Sequence, residues 1–299
     1  MPPALLEQFH RRPSVAAYMA RAFLPSPGLR PTRIFPRIVE RWSPARIDPQ
    51  HLQAFLALTG LSASDGVPIV YPHVFGFPLH MALLTHRAFP LPIWGALQTR
   101  NHLLRHREFT AEESFHLETG LAAERRLDRG VEVDLHTTLT SGGERVWESV
   151  VTFFYRGRYG PAQAAAPLAR APEVDGAETA RWHVPSGVGW RFARLTGDYN
   201  GIHWLNAYAR LFGFRSAFHH PQLVLGQCLA RLSPPARGRQ RLDAWLKGPV
   251  FYDTDVTLRA AHDADGARFA VSMEGEARPS IVGRWSEPVQ YAPVKEERS

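Results

Sequence analysis

Two stretches of this chain repeat one another. Phe55-Leu-Ala-Leu-Thr-Gly60 and Phe192-Ala-Arg-Leu-Thr-Gly197 agree at four of six positions. Each reads as the end of a short helix stopped by glycine. An apolar helical segment follows each one. In the first half it is Phe77-Pro-Leu-His-Met-Ala-Leu-Leu84, and in the second it runs from His220-Pro-Gln-Leu to Leu232. A proline sits near the start of both, where a helix tolerates the missing N–H.

What comes next also matches. In the first half, Phe115–Leu121 and Val131–Leu139 alternate as strands do, and the turn Ser141-Gly-Gly143 leads into a strand Val146–Tyr155. In the second half, Pro249–Leu258 reads as a strand, Asp263–Gly266 as a turn and Phe269–Gly275 as a further strand. Each half therefore predicts one apolar helix wrapped by antiparallel strands, an α+β layout. The Pro/Ala-rich stretch 160–180 reads as a linker between units 1–159 and 181–299. Two such sheets side by side can pair their edges and so remove exposed edge strands.

Composition narrows the class. With 299 residues, 44% of them hydrophobic, the chain can bury a sizeable core. Its one cysteine, Cys228, rules out a disulfide framework and points to a reducing, cytoplasmic setting. Lys+Arg 35 against Asp+Glu 28 gives a net charge of +7, which favours anionic partners. The basic residues form no dense run and no nucleic-acid-binding motif, so nucleic acid is not the expected partner. No stretch approaches the roughly 20 apolar residues of a membrane span. The N-terminus lacks a signal-type apolar core. A helix between Ser14 and Leu24, packed on the body, is expected there instead.

The stretch that carries chemistry is Leu195-Thr-Gly-Asp198-Tyr199-Asn200-Gly-Ile-His203. On one helix, Asp198 and His203 would point well apart. Gly197 and Gly201 instead favour a loop folded around the pair. Asn206 is a fair N-cap for the next helix, which Gly213 can end. A carboxylate and an imidazole facing one pocket can hold a water and move protons near neutral pH. Asp and Asn are also ordinary turn residues. The repeat favours function, because the first half has Leu61 where the second has Asp198.

The run L-T-G-D-Y-N-x-I-H, then G-F-R (Gly213-Phe-Arg215), then a histidine before a long apolar helix, resembles the MaoC-like family of (R)-specific enoyl-CoA hydratases and 3-hydroxyacyl-thioester dehydratases. The resemblance spans about forty residues of the second half. The first half resembles, more loosely, the motif-free unit of the family's double-length members. A double hot-dog fold is thereby implied, with each sheet wrapped around a long central helix. It further implies Asp198 and His203 as the catalytic pair, supported by Asn200, Gly197 and Gln222. Tyr199, His220 and Arg215 would meet substrate, with an acyl-CoA or acyl-carrier-protein thioester as partner. No cofactor or metal is implied, and a homodimer is compatible with the layout.

The sequence departs from the family at two points. His220-Pro221 stands where the family has His-Gly, and proline has no N–H to donate to the thioester carbonyl. The N–H or side chain of Gln222 is the available substitute. Gly201 replaces the family's proline. His73, His80, His86, His102 and His106 fit no standard zinc spacing. Arg100, Arg105 and Arg210 are candidates for carrier phosphates or for surface charges. Thioester binding without turnover and thioester hydrolysis remain competing readings.

Overall fold

The computed structural model describes residues 4–30, 34–62, 66–235 and 238–288. The first half runs β1 (Leu5–Phe9), α1 (Val15–Ala22), β2 (Ile38–Ala45), α2 (Pro49–Thr59), α3 (Tyr71–Leu84), β3 (Leu97–Arg105), β4 (Phe115–Leu127), β5 (Gly130–Ser141) and β6 (Glu144–Arg156). The second runs β7 (Ala177–Val184), α4 (Val188–Thr196), α5 (Asn206–Leu211), α6 (Pro221–Leu229), β8 (Gln240–Leu246), β9 (Thr254–Asp263), β10 (Gly266–Met273) and β11 (Ile281–Ser286).

All eleven strands form one sheet in the order β1-β2-β4-β5-β6-β3-β8-β11-β10-β9-β7. Moving out from the seam between β3 and β8, the two halves read β3-β6-β5-β4-β2 and β8-β11-β10-β9-β7, which is the same order. The seam is antiparallel, with Leu103 opposite Leu242 and Asn101 opposite Ala244. Pairing these edges satisfies two rows of backbone groups that two separate sheets would expose. Strand β1 has no counterpart and lies parallel to β2. The fold is a double hot-dog.

The sheet wraps two central helices. Alternation along β10 buries Ala267, Phe269, Val271 and Met273 on the inner face. Helix α3 is buried along its whole length, and α6 along most of it. The caps follow the repeat as read. Gly60 ends α2 at φ 77° and Gly197 ends α4 at φ 80°, both left-handed. Ser14 caps α1, the helix expected near the N-terminus.

Three expected elements differ. Helix α3 starts at Tyr71, six residues before Phe77, so Pro72 rather than Pro78 opens it and Pro78 lies inside. A helix buried on every side has no amphipathic period to mark its start. The expected strand Pro249–Leu258 begins only at Thr254. Asp253 adopts a left-handed φ of 53°, and before it Phe251 makes a single bridge to Phe218. Helix α6 stops at Leu229, short of Leu232. Strand β7 takes in residues 177–180 of the Pro/Ala-rich stretch. The rest of that stretch crosses from one half to the other. Gln163 N–H donates to Arg126 O (2.8 Å) on β4, and Trp245 Nε1–H of β8 donates to Leu168 O (2.8 Å). Among the described residues no helix is long and apolar enough to cross a membrane.

Candidate active site

The site grows from the end of α4. Thr196 Oγ1 donates back to Phe192 O (3.2 Å) and accepts from Asp198 N–H (3.0 Å). Gly197 then reverses the chain. A Cβ at this glycine would lie 2.2 Å from Tyr18 Oη, so both its φ and its surroundings require glycine. Asp198 Oδ1 accepts from Asn200 N–H (3.1 Å), and Asn200 Oδ1 accepts from Ile202 N–H (3.3 Å). These two side-chain turns cap the short 3₁₀ segment Gly201–His203 and bring His203 back toward Asp198.

His203 Nδ1 lies 3.0 Å from Phe218 O. A carbonyl only accepts, so Nδ1 carries the proton and Nε2 presents a lone pair. That Nε2 lies 3.7 Å from Asp198 Oδ2. The His220 ring stacks on the His203 ring at 3.9 Å and 25°. His220 Nε2 lies 3.3 Å from Asp198 O and 3.9 Å from Asp198 Oδ2. Three polar groups thus meet at one point. Both imidazoles are buried, whereas Asp198 keeps about a fifth of its side-chain surface exposed.

Burial disfavours charge on every member. It raises the Asp198 carboxyl above the ordinary range, opposed by His203 and by the Asn200 N–H. It lowers His203, opposed by Asp198 and the bond to Phe218. The proton affinities of acid and base are drawn together, which eases transfer between them. His220 is held well below its usual value by burial and by His203, and His219 is lowered to about 3 for the same two reasons. Both are neutral at pH 7.

The first half braces this loop from behind. Tyr18 of α1 donates to Gly197 O (2.9 Å). His51 Nε2–H of α2 donates to Leu195 O (2.8 Å), while its Nδ1 accepts from Tyr71 Oη–H (2.9 Å). Tyr252 Oη–H holds His203 O (2.7 Å). Sequence reasoning missed Tyr18, His51 and Tyr252, since each acts across a long separation through a backbone carbonyl, and Tyr71, which acts through the His51 ring. The paired prolines of the two central helices place Tyr71 opposite His220 in the repeat and offered the one available signal.

Other predicted residues fall around this centre. Gln222 is buried in the first turn of α6, and neither its side-chain amide nor its backbone N–H has a partner among the described residues. Tyr199 packs against Trp190 (ring centroids 5.2 Å) at the surface. A cavity of about 540 Å³ beside His203 is lined in part by Trp190, Trp204, Asn206 and Tyr252. Arg215 lies apart from the dyad, over the Phe251 ring at 4.1 Å and 3.8 Å from Glu276. Asn206 is the first residue of α5 rather than its cap, and its Oδ1 accepts from Ala217 N–H (2.9 Å), closing the base of the loop. The Tyr208 ring occupies the space a Cβ at Gly201 would need, 2.7 Å away.

Arg100 and Arg105 are neither phosphate ligands nor solvated charges. Arg100 is buried and makes two bonds to Glu132 (2.6 and 2.7 Å), and Arg105 donates to Gly238 O (2.9 Å). Arg210 donates to Arg215 O (3.3 Å). The first-half histidines do not converge on one point, although the His73 and His80 rings meet edge to face at 5.2 Å within α3. His80 bonds Thr137 under α3, His102 pairs with Asp243 and His106 with Glu148.

No family model matches the chain. It is 28% identical over 237 residues to 3-hydroxyacyl-thioester dehydratase X of Mycobacterium tuberculosis (strain ATCC 25618 / H37Rv), covering 79% of this chain and 84% of that one. The crystal structure of HtdX from the same species superposes with a TM-score of 0.72 at 24% identity, over 84% of this chain and all of that one. A MaoC-like dehydratase from Phytophthora capsici gives 0.68 at 15% identity, over 86% and 96%. Fold and sequence likeness agree: the chain has a double hot-dog fold and is similar to 3-hydroxyacyl-thioester and MaoC-like dehydratases.

Proposed function

We propose that this protein is a hydro-lyase that adds water across, or removes it from, the 2,3-double bond of an acyl thioester. The observation that carries the reading is the 3.7 Å approach of His203 Nε2 to Asp198 Oδ2 in one half of a repeated fold. Both atoms are hydrogen-bond acceptors. A water about 2.8 Å from each donates both its hydrogens and turns a lone pair outward, toward C3 of the enoyl group. Asp198 and His203 take a proton from the attacking water and deliver one to C2. In dehydration the same steps run backwards. Neutral His203 and a carboxyl of raised proton affinity suit either direction. Asn200 holds the loop in place, and Gly197 supplies its turn.

The carbonyl oxygen gathers charge as the bond forms. Pro221 has no N–H, so the donor in this reading is the Gln222 N–H at the positive end of α6. Tyr199 and His220 would line the substrate path. Arg215 would act only at its outer end, near the carrier. The partner is a CoA or carrier-protein thioester, with (R)-specific chemistry in fatty-acid metabolism, a cytoplasmic location and a homodimer as the finer parts of the proposal. The division into units 1–159 and 181–299 about a linker belongs to it as well, although residues 1–3 and 289–299 lie outside the described ones.

The test is the absorbance of the enoyl-thioester band with purified protein, on crotonyl-CoA and on a longer enoyl-CoA, with free thiol followed in parallel. Loss of the band without thiol release supports hydration. Thiol release would mean hydrolysis instead. An unchanged band with both CoA and carrier-protein substrates, together with measurable thioester binding, would mean a binding protein that Pro221 has disabled.

A further inference from the structure

Beyond the proposed reaction, the second half holds a set of atoms that the water mechanism does not fully use. We infer that Asp198, His203 and His220 form a binding site for one divalent transition-metal ion of the zinc class, centred where the proposed reaction places its water.

The geometry comes first. Among the described residues, Asp198, His203 and His220 each offer one ligand atom, and the three atoms lie within 4.8 Å of one another. Tetrahedral zinc with nitrogen and oxygen ligands at about 2.0–2.2 Å sets those atoms about 3.4 Å apart. Here His203 Nε2 and His220 Nε2 lie 3.7 and 3.9 Å from Asp198 Oδ2. Closing by a few tenths of an ångström brings both of these pairs into range, while the His203 and His220 rings, stacked at 3.9 Å and 25°, must open so that their two nitrogens converge on the ion. The site opens to solvent through Asp198, and a solvent molecule completes the fourth position.

The surroundings fit a ligand set. Metal-bound imidazoles usually donate their other ring N–H to a carbonyl or carboxylate, which fixes ring and tautomer. His203 does so already, through Nδ1–H to Phe218 O. The ligating carboxylate is usually anchored as well. Asp198 Oδ1 is held by Asn200 N–H, leaving Oδ2 free. Two imidazoles and one carboxylate favour zinc, cobalt or copper over magnesium and calcium, which take oxygen ligands.

His220 sets how tightly the ion is held. Its Nε2 now points at Asp198 O, and its buried Nδ1 has no partner. Ligation through Nε2 moves the ring proton to Nδ1, where nothing accepts it. That cost weakens the site relative to a structural zinc centre and keeps binding reversible.

The experiment uses the full chain stripped with a chelator and titrated with Co²⁺ in the absence of substrate. Visible absorption reads the coordination, calorimetry with Zn²⁺ reads the stoichiometry, and thermal melting follows the fold. The expected result is one ion per chain, a tetrahedral cobalt spectrum and a melting temperature raised by the metal. In His220→Ala and His220→Gln, affinity falls by more than about a hundredfold, since loss of even an outer partner costs 10–100-fold. Should a folded His220 variant bind as tightly as wild type, or should the ions be octahedral and several per chain, the inference is overturned. Binding is read without substrate, so absence of hydratase activity would sink the proposed function and leave this result standing.

Discussion

The two halves differ most between the end of the first helix and the start of the central one. In the first half residues 61–70 make that connection, and in the second residues 198–220 do. The helix ends themselves are alike. Thr59 bonds back to Phe55 O (2.9 Å) and accepts from Leu61 N–H (3.3 Å), just as Thr196 does with Phe192 and Asp198. Thr and Gly therefore repeat because the helix needs them. The longer second connection supplies the 3₁₀ segment with His203 and the helix α5. The candidate site is an insertion placed on a scaffold that both halves share.

The halves also divide the labour of support. Gly226 of α6 lies so close to α2 that a Cβ there would meet Thr59 Cγ2 at 2.4 Å. Tyr18 and His51 of the first half hold the carbonyls of Gly197 and Leu195 in the second. The motif-free half is therefore the back wall of the other's loop. Removing the site's own side chains is expected to cost activity, and removing the wall is expected to cost both activity and stability.

The largest expected effect short of the carboxylate itself is at His203. His203→Gln lowers kcat by about 10²–10⁴, the usual worth of a positioned acid or base, with an unchanged melting curve. A drop under tenfold would move the chemistry elsewhere. Next, Gly197→Ala and Gly60→Ala separate site from scaffold. At Gly60 the nearest atom to a new Cβ is Ala230 Cβ at 3.7 Å, so only the left-handed φ is charged, about 1–2 kcal/mol with full activity. At Gly197 the clash with Tyr18 adds to that, and turnover falls as Asp198 shifts. Equal losses in the two variants would erase the distinction.

A feature common to both halves is acid sensitivity. His80 in the first and His219 in the second are buried and lowered to about 3 by burial, against about 6.5 when unfolded. Their contribution is complete above about 6.5 and is lost as pH falls from there toward about 3. Melting temperature measured against pH should drop over that window, and His80→Gln and His219→Gln should each flatten part of the drop. A profile that both variants leave unaltered would contradict the assignment. The smallest effect is expected at Pro221. With Gln222 N–H as the donor, Pro221→Gly changes kcat less than about tenfold. A rise of 10²–10³ would show that the missing donor limits the enzyme.

Much of this was legible in the residues. Gly60 and Gly197 marked both helix ends, and the dyad was readable because Leu61 stood opposite Asp198. The start of α3 was not legible, since every face of that helix is buried and Pro78 resembled an opening proline. Strands β1, β2, β3, β7 and β8 escaped because they pair with partners far along the chain, and pairing at a distance leaves no local mark; β11, which pairs with β10 and β8, also went unread. Tyr18 and His51 escaped for the same reason. The stacking of His220 on His203 depends on the path of residues 204–219, which no spacing rule supplies.

The most direct test of the central claim is kcat for Asp198→Asn on an enoyl thioester, with its melting temperature measured beside it. The amide keeps the shape and can still accept from Asn200 N–H, yet it cannot take the proton of the water. The account predicts a fall of at least about 10² in kcat with a folded, equally stable protein. Wild-type turnover in that variant would remove Asp198 from the chemistry and with it the reading of the second half as the active one.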